Sequence, residues 1–477
     1  MDSRAAWKIY AALLFGTFIT IEAAAFQAPA LPSLTKHFGI AINLAALILV
    51  FYSLGLTVFA PIMGRLGDQL GRKRVLLAGL LGFALSEVAA AAAPNFGVFL
   101  GARFVQGLSV ACIMPGVLAY ITHLFPEHRR GMALGIFAMT MTLGAASGGL
   151  LGGLLIDRFG WPSVYWVSGA LAIVGIVPVA LVVPDMRSNQ PRSPFDLKGA
   201  LFLFATIGAL LTLPTWIGNF GLTSPWGVGI IAVGVLALAM LWRSGRHTAA
   251  PVVDIAILRN RAFALPTAIY WLHLVTSSGI VYSLAFFVNG RPGGSASQFG
   301  FVALFLYGSS MLAAPLAGRL IDRFAARWVS IAALMGTLAG LAMLQGFRAD
   351  TPLWSIVATV CVLGLMIGSN TPAVMKLALG AVPAEKLGAG TGLFSTLRDL
   401  GAPTGSSLGL AVFSASLAFH KAAGNPEALA ASLSNVAWLL TGLISIALLL
   451  SLRLARPGSS DTLSVPLRDA RPADQRT

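Results

Sequence analysis

Fourteen runs of predominantly apolar residues fill this chain almost end to end. They begin near Lys8, Asn43, Arg74, Phe96, Gly131, Pro162, Lys198, Pro225, Ala262, Phe299, Trp328, Pro352, Gly388 and Asn435. Each is close to the roughly 20 residues that an α-helix needs to cross a bilayer. Backbone inside hydrocarbon must satisfy its own hydrogen bonds, so such runs fold as spanning helices. Charged residues make up only 10% of the 477, against about 25% in a soluble domain. The expected fold is therefore an all-α membrane protein with 14 transmembrane helices. The first run, Lys8 to Pro29, is too long for a signal-peptide core and lacks a cleavage site, so it reads as the first span. An even number of spans puts both termini on one side.

The net charge of +15 invites a nucleic-acid reading, but its distribution fits topology instead. With loops assigned alternately from a cytoplasmic N-terminus, only Lys36, Arg158, Arg291, Arg348 and Lys421 fall outside. Arg103 and Arg398 lie within spans, and the remaining 25 of the 32 Lys and Arg are on the cytoplasmic side. That is the positive-inside pattern of a multi-pass inner-membrane protein with both termini cytoplasmic. It makes the lipid bilayer the partner of these charges and leaves no nucleic-acid site. Cys112 and Cys361 sit in apolar runs and read as small buried hydrophobes. No P-loop, H-E-x-x-H or Cys/His cluster occurs, so no metal and no cofactor is expected. Gly405-Ser406-Ser407-Leu408-Gly409 matches a nucleophile elbow in letters only, because it lies inside a span rather than between strand and helix. A membrane-embedded enzyme is thus the remote alternative.

The chain repeats itself. Pro61, Gly64, Arg65, Leu66 and Asp68 recur as Pro315, Gly318, Arg319, Leu320 and Asp322, each 254 residues later. Gly107, Pro115, Pro126, Gly131, Gly135 and Phe137 recur at an offset of 257 as Gly364, Pro372, Pro383, Gly388, Gly392 and Phe394. The ridge Gly144, Gly148, Gly152 recurs at the same offset as Gly401, Gly405, Gly409. Glycines spaced by four lie on one helix face and admit close helix packing, or a pivot. The implied organisation is a six-helix bundle over residues 1–184, a linker with two added spans over 185–260, and a second six-helix bundle over 261–455. A disordered cytoplasmic tail is expected over 456–477. Parallel six-helix repeats are an architecture of secondary transporters, with the solute site near mid-membrane between the halves.

Charges inside spans are costly, about 2.5–3.5 kcal/mol at the helix centre on insertion scales, and mark function or pairing. Glu22 lies seven residues from Pro29, and Arg103 seven from Phe96. Both then sit about 10 Å below the outer boundary, where they could pair or share a cavity and exchange a proton. A static ion pair between the two helices is the alternative. Glu87 in the third span has no obvious neutralising partner. Arg398 and Asp399 are neighbours near the middle of the thirteenth span. Adjacent helix residues diverge by about 100°, so this pair is not expected to bond to itself. His273, near mid-depth of the ninth span, reads as a core residue or as a solute or proton contact. Lys376 is placed to snorkel. Phe18 and Phe26 share the Glu22 face, Gln106 the Arg103 face, and Tyr270 and Ser277 flank His273. Together they define a candidate cavity, mostly apolar and suited to lipophilic solutes.

Gly64-Arg65-Leu66-Gly67-Asp68-Gln69-Leu70-Gly71-Arg72-Lys73 resembles the loop between helices 2 and 3 of the major facilitator superfamily. Gly318, Arg319, Asp322 and Arg323 form its second-half counterpart. The resemblance implies the major facilitator fold, with Asp68 latching this loop to the other half at the start of the thirteenth span. Arg103-Phe104-Val105-Gln106-Gly107 is similar to the R-x-x-Q-G motif of the drug:proton antiporter branches, whose Arg is associated with proton coupling. Pro251-Val252-Val253-Asp254 through Phe263 resembles the segment before helix 9 in the fourteen-helix branch. Two departures stand out. Ala23 occupies the place of that branch's first-helix Asp, beside Glu22, and Gly148–Gly153 lacks the proline of its fifth-helix motif. The expectation is a monomeric proton-coupled transporter exporting drugs, toxic metabolites or other lipophilic solutes. Proton symport of an organic acid, bound by Arg103, Arg398 or His273, is the alternative.

Overall fold

A computed structural model describes residues 3–186, 196–221, 223–247, 255–383 and 387–454. The sixteen helices of these residues are α1 (Ser3–Ala25), α2 (Gln27–Phe38), α3 (Ala46–Leu70), α4 (Arg72–Ala91), α5 (Phe96–Leu124), α6 (Glu127–Phe159), α7 (Pro162–Val182), α8 (Leu197–Phe220), α9 (Pro225–His247), α10 (Ile255–Arg259), α11 (Arg261–Gly290), α12 (Ala296–Phe324), α13 (Ala326–Gln345), α14 (Leu353–Leu379), α15 (Leu387–Ala422) and α16 (Ala428–Leu452). Fourteen among them are long and apolar enough to cross a membrane. The expected tail and residues 187–195, 222 and 248–254 of the expected linker, Pro251–Asp254 among them, lie outside the described residues.

Tight turns set the joints. Gly71 adopts φ +105 between α3 and α4, a conformation that side chains rarely adopt. The motif expected as a loop is mostly helical: α3 continues through Asp68 to Leu70, so Gly71 alone separates the helices. The equivalent position 254 residues on is Ala325, with φ +65, the one non-glycine with positive φ among the described residues. The first span also differs from expectation. Helix does not stop near Pro29 but resumes at Gln27 and runs to Phe38, because Pro29 falls in the first turn of the resumed helix, where its missing N–H costs little; Pro32 lies inside that helix.

Two glycine ridges organise the halves alike. Gly144, Gly148 and Gly152 on α6 pack against backbone at Phe18 and Glu22 of α1 and at Phe26 of the α1–α2 joint. Gly401, Gly405 and Gly409 on α15 pack against Trp271, Val275 and Gly279 of α11. The partner positions differ by 253 in all three cases. Basic residues at the helix joints repeat the relation. Lys73 Nζ donates to the Ala180 carbonyl near the end of α7 (2.6 Å), and Arg327 Nη2, 254 residues later, donates to the Leu452 carbonyl at the end of α16 (2.9 Å). Each cation faces the negative end of a helix dipole. The added helices pack as a pair, with α8 also against α3 and α15. Leu203, Ile207 and Leu211 of α8 join Val50, Leu54 and Val58 of α3 and Leu400 of α15 in one apolar cluster over that seam.

The halves meet at the face opposite the termini. Gly149 and Gly153 of α6 abut α12 at Gly300, Ala296 and Ser297. Asp157 accepts hydrogen bonds from the backbone N–H groups of Ala296 (3.1 Å) and Ser297 (2.8 Å), capping α12 from across the interface. Gly135 and Gly318 lie 18 residues from Gly153 and Gly300 toward the termini, about five turns away on the same helix faces. A side chain at either would meet nothing within 4 Å. The two bundles are clasped at the far face and diverge toward the termini face.

Candidate functional site

The first-half part of the central site depends on how closely α3 and α5 approach. A Cβ on Gly107 would collide with the Tyr52 carbonyl oxygen, and one on Gly55 with the Phe104 carbonyl oxygen. This contact sets the Tyr52 ring 5.1 Å from the Arg103 guanidinium carbon. Arg103 is fully buried, and none of its three guanidinium nitrogens has a hydrogen-bond partner among the described residues. Glu87 on α4 is equally buried and accepts a hydrogen bond from the Gln106 side-chain nitrogen. Glu87 lies within electrostatic reach of Arg103, as do Tyr52 and Tyr165. Burying an isolated ion costs several kcal/mol. The opposite charge of Glu87 offsets part of that, and the face of Tyr52 contributes up to about 2 kcal/mol when desolvated.

Glu87 is the neighbour of Arg103 that sequence reasoning passed over. It lies four residues from the far end of α4, and Arg103 seven from the far end of α5, so their depths differ by only about 5 Å. That match was available from the spans themselves.

On the other half, the Tyr270 ring stacks on Phe394 with centroids 5.5 Å apart, and its hydroxyl meets Thr371 Oγ1 at 3.4 Å. Arg398 and Asp399 do bond to each other, Nε to Oδ1 at 2.8 Å, contrary to expectation. The long arginine side chain curls back across the 100° between neighbours. Their side chains are 42% and 33% exposed deep within α15, and Asp399 is within electrostatic reach of Tyr52 in the first half. His273 is enclosed, with neither ring nitrogen partnered among the described residues. Ser277 turns its hydroxyl to the His273 carbonyl of its own helix, at 2.8 Å.

The expected meeting of Glu22 and Arg103 does not occur. Glu22 faces α6 and α7, where it lines a cavity of about 300 Å³ together with Phe26. Phe18 lies on the same α6-facing side of α1. Pro29 does not end the helix, so the depth of Glu22 differs from that expected, and the Glu22 face of α1 is the one packed on the glycine ridge.

Asp68 binds Arg72 at 2.6 Å, at the α3–α4 joint. Among the described residues Asp68 pairs with Arg72 and has no partner at the start of α15, the place of the expected latch, where a side chain at Gly392 would meet nothing within 4 Å. The physical reason is the divergence of the halves at this face. Asp185, just past α7, approaches Arg74 at 3.8 Å, and its carboxylate would collide with any side chain at Gly71. In the second half Asp322 pairs with Lys376 of α14 at 3.3 Å. A swap accounts for the difference. Ala326 stands where the first half has Arg72, and Ala119 where the second half has Lys376. Arg319 and Arg323 lie beside Asp322 on α12, with Arg323 over the Phe324 ring at 5.3 Å.

A sequence profile of the Major Facilitator Superfamily matches residues 13–294 and 267–472. The chain is 28% identical over 411 residues to the multidrug efflux pump LfrA of Mycolicibacterium smegmatis, covering 86% of this chain and 81% of that one. It is 24% identical over 418 residues to the riboflavin transporter RibZ of Clostridioides difficile, covering 87% and 90%. A solved proton-dependent oligopeptide transporter superposes with a TM-score of 0.66 at 16% identity, covering 95% of this chain and 98% of that one.

Proposed function

The chain belongs to the Major Facilitator Superfamily and is a multi-pass membrane transporter, not an enzyme, and from that premise we propose that it exports lipophilic drugs or toxic metabolites in exchange for protons. It works as a monomer in a bacterial inner membrane, with both termini in the cytoplasm. Residues 1–184 and 261–455 are the bodies that rock, joined through 185–260. The clasp at Asp157 then closes the outer side, and the chamber opens to the cytoplasm.

One observation carries the coupling: Arg103, without a hydrogen-bonding partner among the described residues, lies beside Glu87, the buried carboxylate held by Gln106. With Glu87 ionised, the pair is balanced and the guanidinium is held. A proton arriving at Glu87 from outside removes that attraction and frees Arg103. Release of the proton on the cytoplasmic side restores the pair. The proton-coupling role expected of Glu22 with Arg103 passes to Glu87 on this geometry, because Glu22 does not reach Arg103. Export of apolar solutes is supported by the aromatic wall of Tyr52, Tyr270 and Phe394, and by the relative named as a multidrug efflux pump.

Import is the second reading. The guanidinium donors of Arg103, unpartnered among the described residues, suit a carboxylate solute, and one relative is named for riboflavin. Proteoliposomes with an imposed pH gradient separate the two. Solute moving against the direction of proton flow assigns antiport; solute accompanying protons assigns symport and ends the export reading.

A further inference from the structure

The internal repeat makes two seams between the halves equivalent. By their offsets of 254 and 257, α3 corresponds to α12 and α6 to α15, so the seam of α3 with α15 matches the seam of α12 with α6. The added pair breaks that equivalence. α8 packs on both α3 and α15, with α9 behind it. Among the described residues the third helix packed on both α6 and α12 is α2, which lies at the far face.

Equivalent positions record the difference. Val58 and Leu400 lie in the apolar cluster under α8 and are 3% and 7% exposed. Their counterparts beside the other seam, Leu312 and Leu143, are 64% and 52% exposed. A side chain on Gly208 of α8 would meet Leu54 at 3.9 Å, whereas one on Gly308, the counterpart of Leu54, would meet nothing within 4 Å.

The uncovered seam is shut in its far part alone. Gly149 and Gly300 touch there, and both are buried. Ala138 and Met311 stand on the same faces of these helices, about 16 Å nearer the termini, and both are exposed. The faces that meet at Gly149 have parted at this depth. Thr142 and Pro315 flank the gap, and none of these four side chains carries a charge, so an apolar solute meets no ion there that it would have to desolvate. The gap leads to the chamber. Tyr307, one turn from Met311 on the same face, is within electrostatic reach of Tyr282, which in turn reaches Arg103 and Tyr52.

We propose that the added pair α8–α9 is a one-sided seal, and that uncharged lipophilic solutes pass between the bilayer and the central chamber through the α6–α12 seam, by way of Ala138 and Met311. The solute class rests on the export reading, but the route is tested without transport.

The test uses the full chain in lipid nanodiscs with no gradient. The probe is iodophenyl-trifluoromethyl-diazirine, an uncharged carbene precursor that partitions into bilayers. Photolysis should label Tyr52 and Tyr270 in the unaltered chain. Ala138→Trp with Met311→Trp fills the gap with two indoles and should cut that labelling roughly 5-fold or more, relative to Leu236 on the exposed side of α9. Both sites are exposed, so the added bulk does not enter a packed core. Met311→Ala, which widens the gap, should raise the labelling. Leu203→Ala with Ile207→Ala loosens the seal and should newly admit label to Val58 and Leu400. Undiminished labelling in the double-tryptophan variant, or no rise in Met311→Ala, would overturn the route. Absence of label at Tyr52 and Tyr270 in the unaltered chain would do the same. Continued protection of Val58 and Leu400 in the loosened variant would overturn the seal. Absent solute export alongside the expected labelling pattern would refute the export reading and leave the route standing.

Discussion

Two residues, Glu87 and Ala325, are open to test one at a time. Glu87→Gln keeps the shape and the hydrogen bond to Gln106 but cannot ionise, so the attraction on Arg103 is permanently absent. Proton-driven flux should fall at least 10-fold while solute exchange without a gradient persists. Undiminished driven flux would remove Glu87 from the coupling. Ala325 holds φ +65 where its first-half equivalent is Gly71. A non-glycine residue in that region is strained by about 1–3 kcal/mol. Ala325→Gly should therefore raise the melting temperature of the detergent-solubilised protein; a lower one would show that the strain is illusory or offset by the added backbone freedom.

Helix packing translates those residues into a site. Gly107 exists as glycine because the Tyr52 carbonyl occupies the space of any side chain. Gly107→Val should push α3 from α5, withdraw Tyr52 from Arg103 and abolish transport. Overpacking of this kind costs about 1–3 kcal/mol, so the variant should still reach the membrane at a reduced melting temperature. Full activity would show that the Tyr52–Arg103 contact is dispensable. At the same scale, the rearranged ion pairs Asp68–Arg72 and Asp322–Lys376 show one motif stabilised in two ways. The acid is retained at equivalent positions, while its base sits on the adjoining helix α4 in one half and on α14 in the other.

The whole molecule is a clasp at one face and an opening at the other. Asp157 supplies the charged part of the clasp, a carboxylate that accepts from two N–H groups at the start of α12. Hydrogen bonds to charged groups contribute about 1.5–3 kcal/mol each. Asp157→Ala should shift the population toward separation at the far face by roughly 10-fold or more. Spin labels at Phe159→Cys and Trp354→Cys, in a background lacking Cys112 and Cys361, should then report longer distances. An unaltered distribution would mean that apolar contact of α6 with α12 closes the face alone.

The spans, their number, the doubled halves and the glycine ridges were legible in the sequence, because hydropathy and spacing are one-dimensional properties of the chain. So was the presence of Glu22, Glu87 and Arg103 inside membrane-length runs. Their pairing was not. Each residue turns a helix face by about 100°, and helix ends shift by several residues. A resumed helix at Gln27 and the contact of α1 with the α6 ridge were enough to send Glu22 away from Arg103 and leave Glu87 in its place. Composition decided that this chain has fourteen membrane-length spans; only the packing of helix against helix decided which buried acid lies beside Arg103 and which lines the cavity between α1, α6 and α7.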